Sequence, residues 1–183
     1  FIGEITPKLS DKIVSYGELL SSYIISEYLI SEKLDAEFKD SRELIITSKL
    51  NGKNTVNFTK TNANCADFFN SSTKKITVCP GFISTSEDGV STTLGRGGSD
   101  YTAAIYAAAV DADILEIWTD VSGMYTANPK MVKQAKAIPH ISYEEAMELS
   151  HFGAKVLYPP TIQPVLSKGI SIVIKNTFSP DEA

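Results

Sequence analysis

Three glycines, an arginine and an aspartate stand within one six-residue run, Gly95-Arg96-Gly97-Gly98-Ser99-Asp100. Residues of these types at this spacing can hold an anion. Glycines let a backbone reach positive φ and approach a ligand closely. A loop that opens a helix presents unpaired N–H groups at the positive end of the helix dipole, where phosphate is stabilised. An arginine there adds a planar fork of donors for a carboxylate or phosphate. The same run also reads as an ordinary glycine turn, with Ser99 as N-cap and Asp100 as a first-turn acid. Both readings stay open on this stretch alone.

The flanking elements would position the loop. Residues 89–94 form a short β-type run that leads in, and residues 99–110 form an alanine-rich helical run that leads out. Alanines at 103, 104, 107, 108 and 109 let that helix pack close to a sheet. Residues 82–84 and 90–94 can pair as a hairpin across Glu87-Asp88-Gly89. Residues 76–79 read as a central strand ending at Pro80-Gly81.

A second chemical candidate lies on a long helix over residues 11–34, with Ser10 as its cap. Ile13, Tyr16, Leu20, Tyr23, Ile24, Tyr28 and Leu34 recur near helical spacing, and Ile25, Leu29 and Ile30 widen the stripe. The helix is therefore expected to be buried on most sides. Ser15, Glu18 and Ser22 form a narrow polar stripe, which is either a solvent face or a roomy pocket wall carrying Glu18.

A third candidate follows a strand over residues 113–118, which ends at Thr119-Asp120. Ligands of open α/β sheets bind beyond the carboxyl ends of strands. A long loop with Gly123, Tyr125 and Asn128-Pro129-Lys130 comes next, and long loops in compact domains often carry function. Tyr125 could stack on a base or simply pack. Ser142-Tyr143-Glu144-Glu145 is a capping-box start for a helix over 142–150. Pro159-Pro160 opens another helix, Gly169 closes it, and residues 170–175 make a last strand. Residues 40–70 are the least legible part. Leu44-Ile45-Ile46-Thr47 fits a strand or a buried helical turn, residues 55–58 alternate like a strand, and residues 61–69 suggest a helix weakened by asparagines. Alternating strands and helices give an α/β class with a largely parallel sheet, and no internal domain boundary stands out.

Composition narrows the partners. The 183 residues are 43% hydrophobic, an ordinary globular content. The net charge of −5 argues against a nucleic-acid partner, which needs a basic face. No apolar run reaches the length that spans a bilayer, so no membrane partner is expected. Two cysteines and two histidines give neither a disulfide framework nor a zinc site. A reducing, cytoplasmic setting and no protein-held metal are expected.

The loop at 95–100, the run Ile117-Trp118-Thr119-Asp120-Val121-Ser122-Gly123-Met124-Tyr125-Thr126, the run Phe152-Gly153-Ala154-Lys155-Val156-Leu157 and the helix segment Ser15-Tyr16-Gly17-Glu18-Leu19-Leu20-Ser21 stand in one chain. Together they resemble the aspartate kinases of the amino-acid kinase superfamily. Glu145-Ala146-Met147-Glu148-Leu149-Ser150 and Ile174-Lys175-Asn176-Thr177 look most like the bifunctional aspartokinase/homoserine dehydrogenase branch.

The resemblance implies a three-layer α/β/α sandwich with a largely parallel sheet. It also implies transfer of the γ-phosphoryl group of ATP, with Mg2+, to the side-chain carboxylate of L-aspartate. Arg96 matches the arginine that grips the α-carboxylate, and Glu18 the acid that receives the amino group. Gly97, Gly98 and Ser99 match substrate-side donors, and Asp100 matches the catalytic aspartate. Thr119, Asp120, Tyr125, Lys130, Lys155 and Val156 match nucleotide-binding positions. A homo-oligomer in the cytoplasm is expected on the same ground, with residues 1–183 as part of one catalytic domain and no regulatory ACT or dehydrogenase domain. Asn128-Pro129-Lys130 stands where the family has Asp-Pro-Arg, which keeps the charge and loses the fork. Tyr158-Pro159 stands where it has His-Pro. The family's first strand and phosphate loop, of the type Lys-Phe-Gly-Gly-Thr-Ser, has no counterpart in the sequence, so the chain alone is expected to be inactive. The alternatives are an acetylglutamate- or uridylate-kinase-like member, or a noncatalytic ligand-binding module.

Overall fold

Thr6-Pro7 starts the first helix. The Thr6 hydroxyl accepts from the Leu9 N–H at 3.3 Å, and Pro7 occupies a first-turn position where its missing N–H costs nothing. Helix α1 therefore runs Pro7–Ser31, four residues ahead of the start expected at Asp11 with a Ser10 cap. The computed structural model describes residues 5–50, 52–128, 131–151 and 159–180. They divide into two compact units, Phe1–Thr102 and Ala103–Ala183.

The first unit continues with β1 (Ala36–Phe38), α2 (Ser41–Leu44), β2 (Ile46–Leu50), β3 (Lys53–Val56), α3 (Phe58–Ser71), β4 (Ile76–Val78), β5 (Ile83–Ser86) and β6 (Ser91–Thr93). The ambiguous run at 44–47 is both things in turn: the end of a one-turn helix, then a strand. Asp40 caps that turn through the Arg42 N–H at 3.0 Å. The asparagines of α3 are put to use. Asn57 caps it through the Lys60 N–H, and the Asn64 amide donates to the carbonyls of Glu43 and Leu44. Strands β3-β2-β5-β6 form a mixed sheet, with β2 and β5 parallel between two antiparallel hairpins. The hairpin expected across residues 87–89 forms between β5 and β6, with Ile83 opposite Thr93. Strand β4, expected as a central strand, pairs in parallel with β1, its one partner among the described strands.

Ile45 and Ile83 are fully buried at the heart of this unit, each contributing about 1.5–3 kcal/mol relative to exposure. Beside them runs a chain of buried hydroxyls. Thr47 and Ser84 each meet the Thr92 hydroxyl at 2.9 Å, which satisfies all three without water.

Helix α1 inverts the expected burial. Ser15, Leu19, Ser22 and Ser26 are buried, whereas Ile13, Tyr16, Leu20, Tyr23, Ile24 and Tyr28 are each at least half exposed. The helix packs on β6, β1 and β4 through its small residues, which let a helix axis approach a strand closely. Ser15 and Ser22 of the polar stripe are thus not a solvent face, and Glu18 between them is half-buried.

In the second unit, α4 (Gly98–Ala109), whose first residues belong to the first unit, leads to β7 (Ile114–Thr119), α5 (Tyr143–His151), α6 (Pro159–Leu166) and β8 (Ser171–Asn176). Strands β7 and β8 pair in parallel over six residues, Ile114 opposite Ser171. Ala104, Ala107, Leu115, Ile117, Ile162, Val165 and Ile170 form the core. The capping box of α5 closes both ways: Ser142 N–H donates to Glu145, and Glu145 N–H donates to the Ser142 hydroxyl. Gly169 takes φ +67 beyond the end of α6, as a helix-closing glycine does. Helices with mixed sheets make the chain α/β.

Candidate functional site

The glycine loop is shaped by two left-handed residues, Gly95 at φ +73 and Gly97 at φ +68. The Gly98 N–H donates to the Gly95 carbonyl at 3.0 Å, closing the turn. Gly97, not Ser99, holds the cap position of α4, since its carbonyl accepts from the Tyr101 N–H at 2.9 Å. Ser99 and Asp100 therefore lie inside the first turn. Arg96 and Ser99 are exposed, Gly98 is buried and Asp100 is half-buried. Burial pushes the Asp100 carboxyl above its ordinary range, and no described residue makes an ion pair with it. Arg96 likewise has no ion pair among the described residues. An unpaired guanidinium beside a helix N-terminus can receive an anion.

The loop is braced from two sides. The Thr93 hydroxyl donates to Asp11 at 3.0 Å, tying the strand that feeds the loop to the start of α1. Glu18 lies two turns further along α1, half-buried between the buried Ser15 and Ser22. The turn Pro80-Gly81-Phe82 presses on the other side. A Cβ on Gly81 would meet the Cα of Ser99 at 3.0 Å, and a Cβ on Gly98 would meet the Phe82 ring at 2.8 Å. Both glycines are there for close approach. The sequence marks Pro80-Gly81 only as a strand end, so this brace is missed. Its glycine was the available signal.

In the second unit, Thr119 and Asp120 sit at the carboxyl end of β7. Thr119 is half-buried and its hydroxyl donates to Asp120 at 3.3 Å, while Asp120 is exposed. The following loop is not structureless. Tyr125 bridges to Ala137, Thr126 N–H donates to the Lys136 carbonyl, and Ile138 N–H donates to the Met124 carbonyl. This ribbon holds Tyr125 half-buried. Across β7 and β8, Lys175 bonds Glu116 at 2.6 Å and lies 5.1 Å from the centre of the Trp118 ring. That ammonium, and then the Trp118 N–H, hold the Glu116 carboxyl below its usual range. Lys130, Lys155 and Val156 lie outside the described residues.

The sequence profile of the amino acid kinase family matches residues 3–176. The chain belongs to this family. Among its relatives is a chloroplastic bifunctional aspartokinase/homoserine dehydrogenase of Daucus carota, 37% identical over 179 residues. The match covers 97% of this chain and 19% of the carrot protein. Lysine-sensitive aspartokinase 3 of Escherichia coli is 37% identical over 176 residues, covering 96% of this chain and 39% of that protein. A crystal structure of E. coli aspartokinase III in complex with aspartate and ADP superposes with a TM-score of 0.87 at 36% identity. It covers 97% of this chain and 40% of that one. This amino acid kinase chain is thus aspartokinase-like in sequence and fold, and spans well under half the length of those relatives.

Proposed function

We propose that the chain forms part of the catalytic domain of an aspartokinase. In this reading the γ-phosphoryl group of ATP passes to the side-chain carboxylate of L-aspartate, giving ADP and 4-phospho-L-aspartate. The pathway is that of threonine, lysine and methionine. The observation that carries the reading is the similarity to E. coli aspartokinase III, whose crystal structure holds aspartate and ADP.

The substrate carboxylate is already ionised at neutral pH, so it attacks the γ-phosphorus without a general base. A bond forms from the carboxylate oxygen to phosphorus, the bond to the β,γ-bridging oxygen breaks, and its electron pair leaves with ADP. Such a step needs positioning and charge stabilisation rather than covalent help. Arg96 holds the α-carboxylate and Glu18 the ammonium group. Gly97, Gly98 and Ser99 form the substrate side of the loop, with Ser99 as a donor and Gly98 closing the turn, and Asp100 organises the transfer centre. Thr119, Asp120 and Tyr125 take the nucleotide, with Lys130, Lys155 and Val156 assigned to the same role. Mg2+ suits this arrangement as an ion carried by the phosphates, which needs one or two carboxylates rather than a cage. No group of three ligating side chains occurs among the described residues. A cytoplasmic homo-oligomer belongs to the same proposal.

Ligand-dependent melting of the purified chain tests it. L-Aspartate with MgADP is expected to raise the Tm, and Arg96→Ala to abolish the aspartate-dependent part alone. Stabilisation by N-acetylglutamate or UMP, and none by aspartate, would overturn the reading in favour of another branch of the family.

A further inference from the structure

The glycine loop and the Pro80-Gly81-Phe82 turn meet at one hydroxyl. Thr102 is buried on α4, one turn after Gly98. Its Oγ1 donates to the Gly98 carbonyl at 2.8 Å and accepts from the Phe82 N–H at 3.0 Å. The first bond alone would be unremarked, because threonines on helices often bond back to the preceding turn. The second is not local. It reaches twenty residues back in sequence to a backbone group in an unusual state.

Phe82 has φ +68. A bulky residue in the left-handed region is a true outlier, and it persists only where its surroundings over-determine it. Here both polar groups of the residue are committed. The N–H goes to Thr102, and the carbonyl accepts from the Leu94 N–H at 2.8 Å, immediately before Gly95. The neighbouring Pro80 carbonyl is fixed by the buried Ser41 hydroxyl. The strained turn therefore clasps the glycine loop at its entry, Leu94, and at its exit, Gly98. Thr102 is the side chain that joins the two halves of the clasp.

We propose that Thr102 is a positioning residue for the substrate loop. Its hydroxyl holds Phe82 left-handed against Gly98, and so sets where Arg96, Ser99 and the first-turn N–H groups of α4 point. The inference rests on the assignment of that loop to L-aspartate. It predicts that loop geometry, and with it aspartate affinity, depends on the Thr102 oxygen and not on its methyl group.

Thr102→Val keeps the shape and deletes the oxygen, while Thr102→Ser keeps the oxygen. Two-dimensional NMR of the 183-residue chain follows the Phe82 amide and the amides of residues 95–100 during L-aspartate titration. For Thr102→Val we expect the Phe82 amide to exchange about tenfold faster and the aspartate Kd to rise about tenfold, as losing one partner of a buried donor should do. Affinity for MgADP stays unchanged. Thr102→Ser restores both readouts to within about threefold of wild type. The proposal is overturned if Thr102→Val leaves Phe82 exchange and aspartate affinity unaltered. It is overturned equally if Thr102→Ser is as impaired as Thr102→Val, or if MgADP affinity falls in parallel. A wild-type chain that binds no aspartate overturns the functional assignment instead, and Phe82 exchange alone then decides the clasp.

Discussion

Two glycine-to-alanine substitutions in the first unit should act with opposite signs. Gly98 and Gly17 both lie in helices, and neither is left-handed. On backbone grounds alone, alanine should stabilise each by about 0.5–1 kcal/mol. At Gly17 that gain stands, because nothing described lies within 4 Å of a built Cβ. At Gly98 the Cβ would lie 2.8 Å from the Phe82 ring and 3.2 Å from both the Phe82 Cα and the Leu94 Cβ. The ring contact is about 0.6 Å short of the 3.4 Å at which ordinary contact begins. The Phe82 backbone cannot yield freely, since Thr102 and Leu94 hold its N–H and carbonyl. Overpacking of this kind costs about 1–3 kcal/mol, which outweighs the helix gain and leaves Gly98→Ala destabilised by about 0.5–2 kcal/mol. Urea unfolding followed by far-UV circular dichroism measures both variants. Trp118 fluorescence would not serve, because it reports on the other unit. A double-mutant cycle with Phe82→Ala isolates the ring, and a coupling of about 1 kcal/mol is expected. The reasoning fails if Gly98→Ala is as stable as wild type, or if its cost is undiminished once the ring is gone.

Three further outcomes follow from burial. Burial holds the Asp100 carboxyl above its ordinary 3.8, so the stability tied to its proton is full below that pH and is lost as the pH rises through the native pKa. Asp100→Asn should therefore stabilise the chain at neutral pH, by under about 1 kcal/mol after solvent screening, with no gain in acid; a destabilised variant at neutral pH refutes this. The Cys65 thiol is fully buried and pushed up to about 11. At about pH 8.5, where a free thiol is half ionised, Cys65 should resist a disulfide reagent until urea is added, and equal rates in both states would contradict its burial. The Ser26 hydroxyl is buried with no hydrogen-bond partner among the described residues. Ser26→Ala should stabilise by about 0.5–1 kcal/mol, and a comparable loss in thermal unfolding would show that the hydroxyl is satisfied.

Features that depend on local chemistry were legible in the sequence. The reciprocal bonds of Ser142 and Glu145, the turn that joins β5 to β6 and the closing turn at Gly169 each involve residues within a few positions of one another. So does the left-handed geometry of Gly95 and Gly97, because glycine is the residue that takes it without cost. The brace on the loop was not legible for the converse reason. Phe82 adopts positive φ without any sequence mark, and the Thr102 hydroxyl that holds it looks like any threonine on a helix.

Helix α1 shows why periodicity stops short of packing. Spacing identifies two faces, one of large apolar residues and one of Ser15, Glu18 and Ser22, which the structure extends to Ser26. It does not say which face lies on the sheet. Hydrophobicity alone selects the large face, yet the strands take the serines and Leu19. The determining quantity is depth. Three serines in three turns bring the helix backbone close to β6, where Asp11 can accept from Thr93 and Glu18 is carried half-buried at the edge of the packed face. Large side chains on that face would lift the axis away and break the Asp11 bond. The polar stripe that singled out Glu18 is thus also the face that packs on the strands, and it carries Glu18 half-buried between Ser15 and Ser22. Positioning and packing on this helix are carried by the same residues.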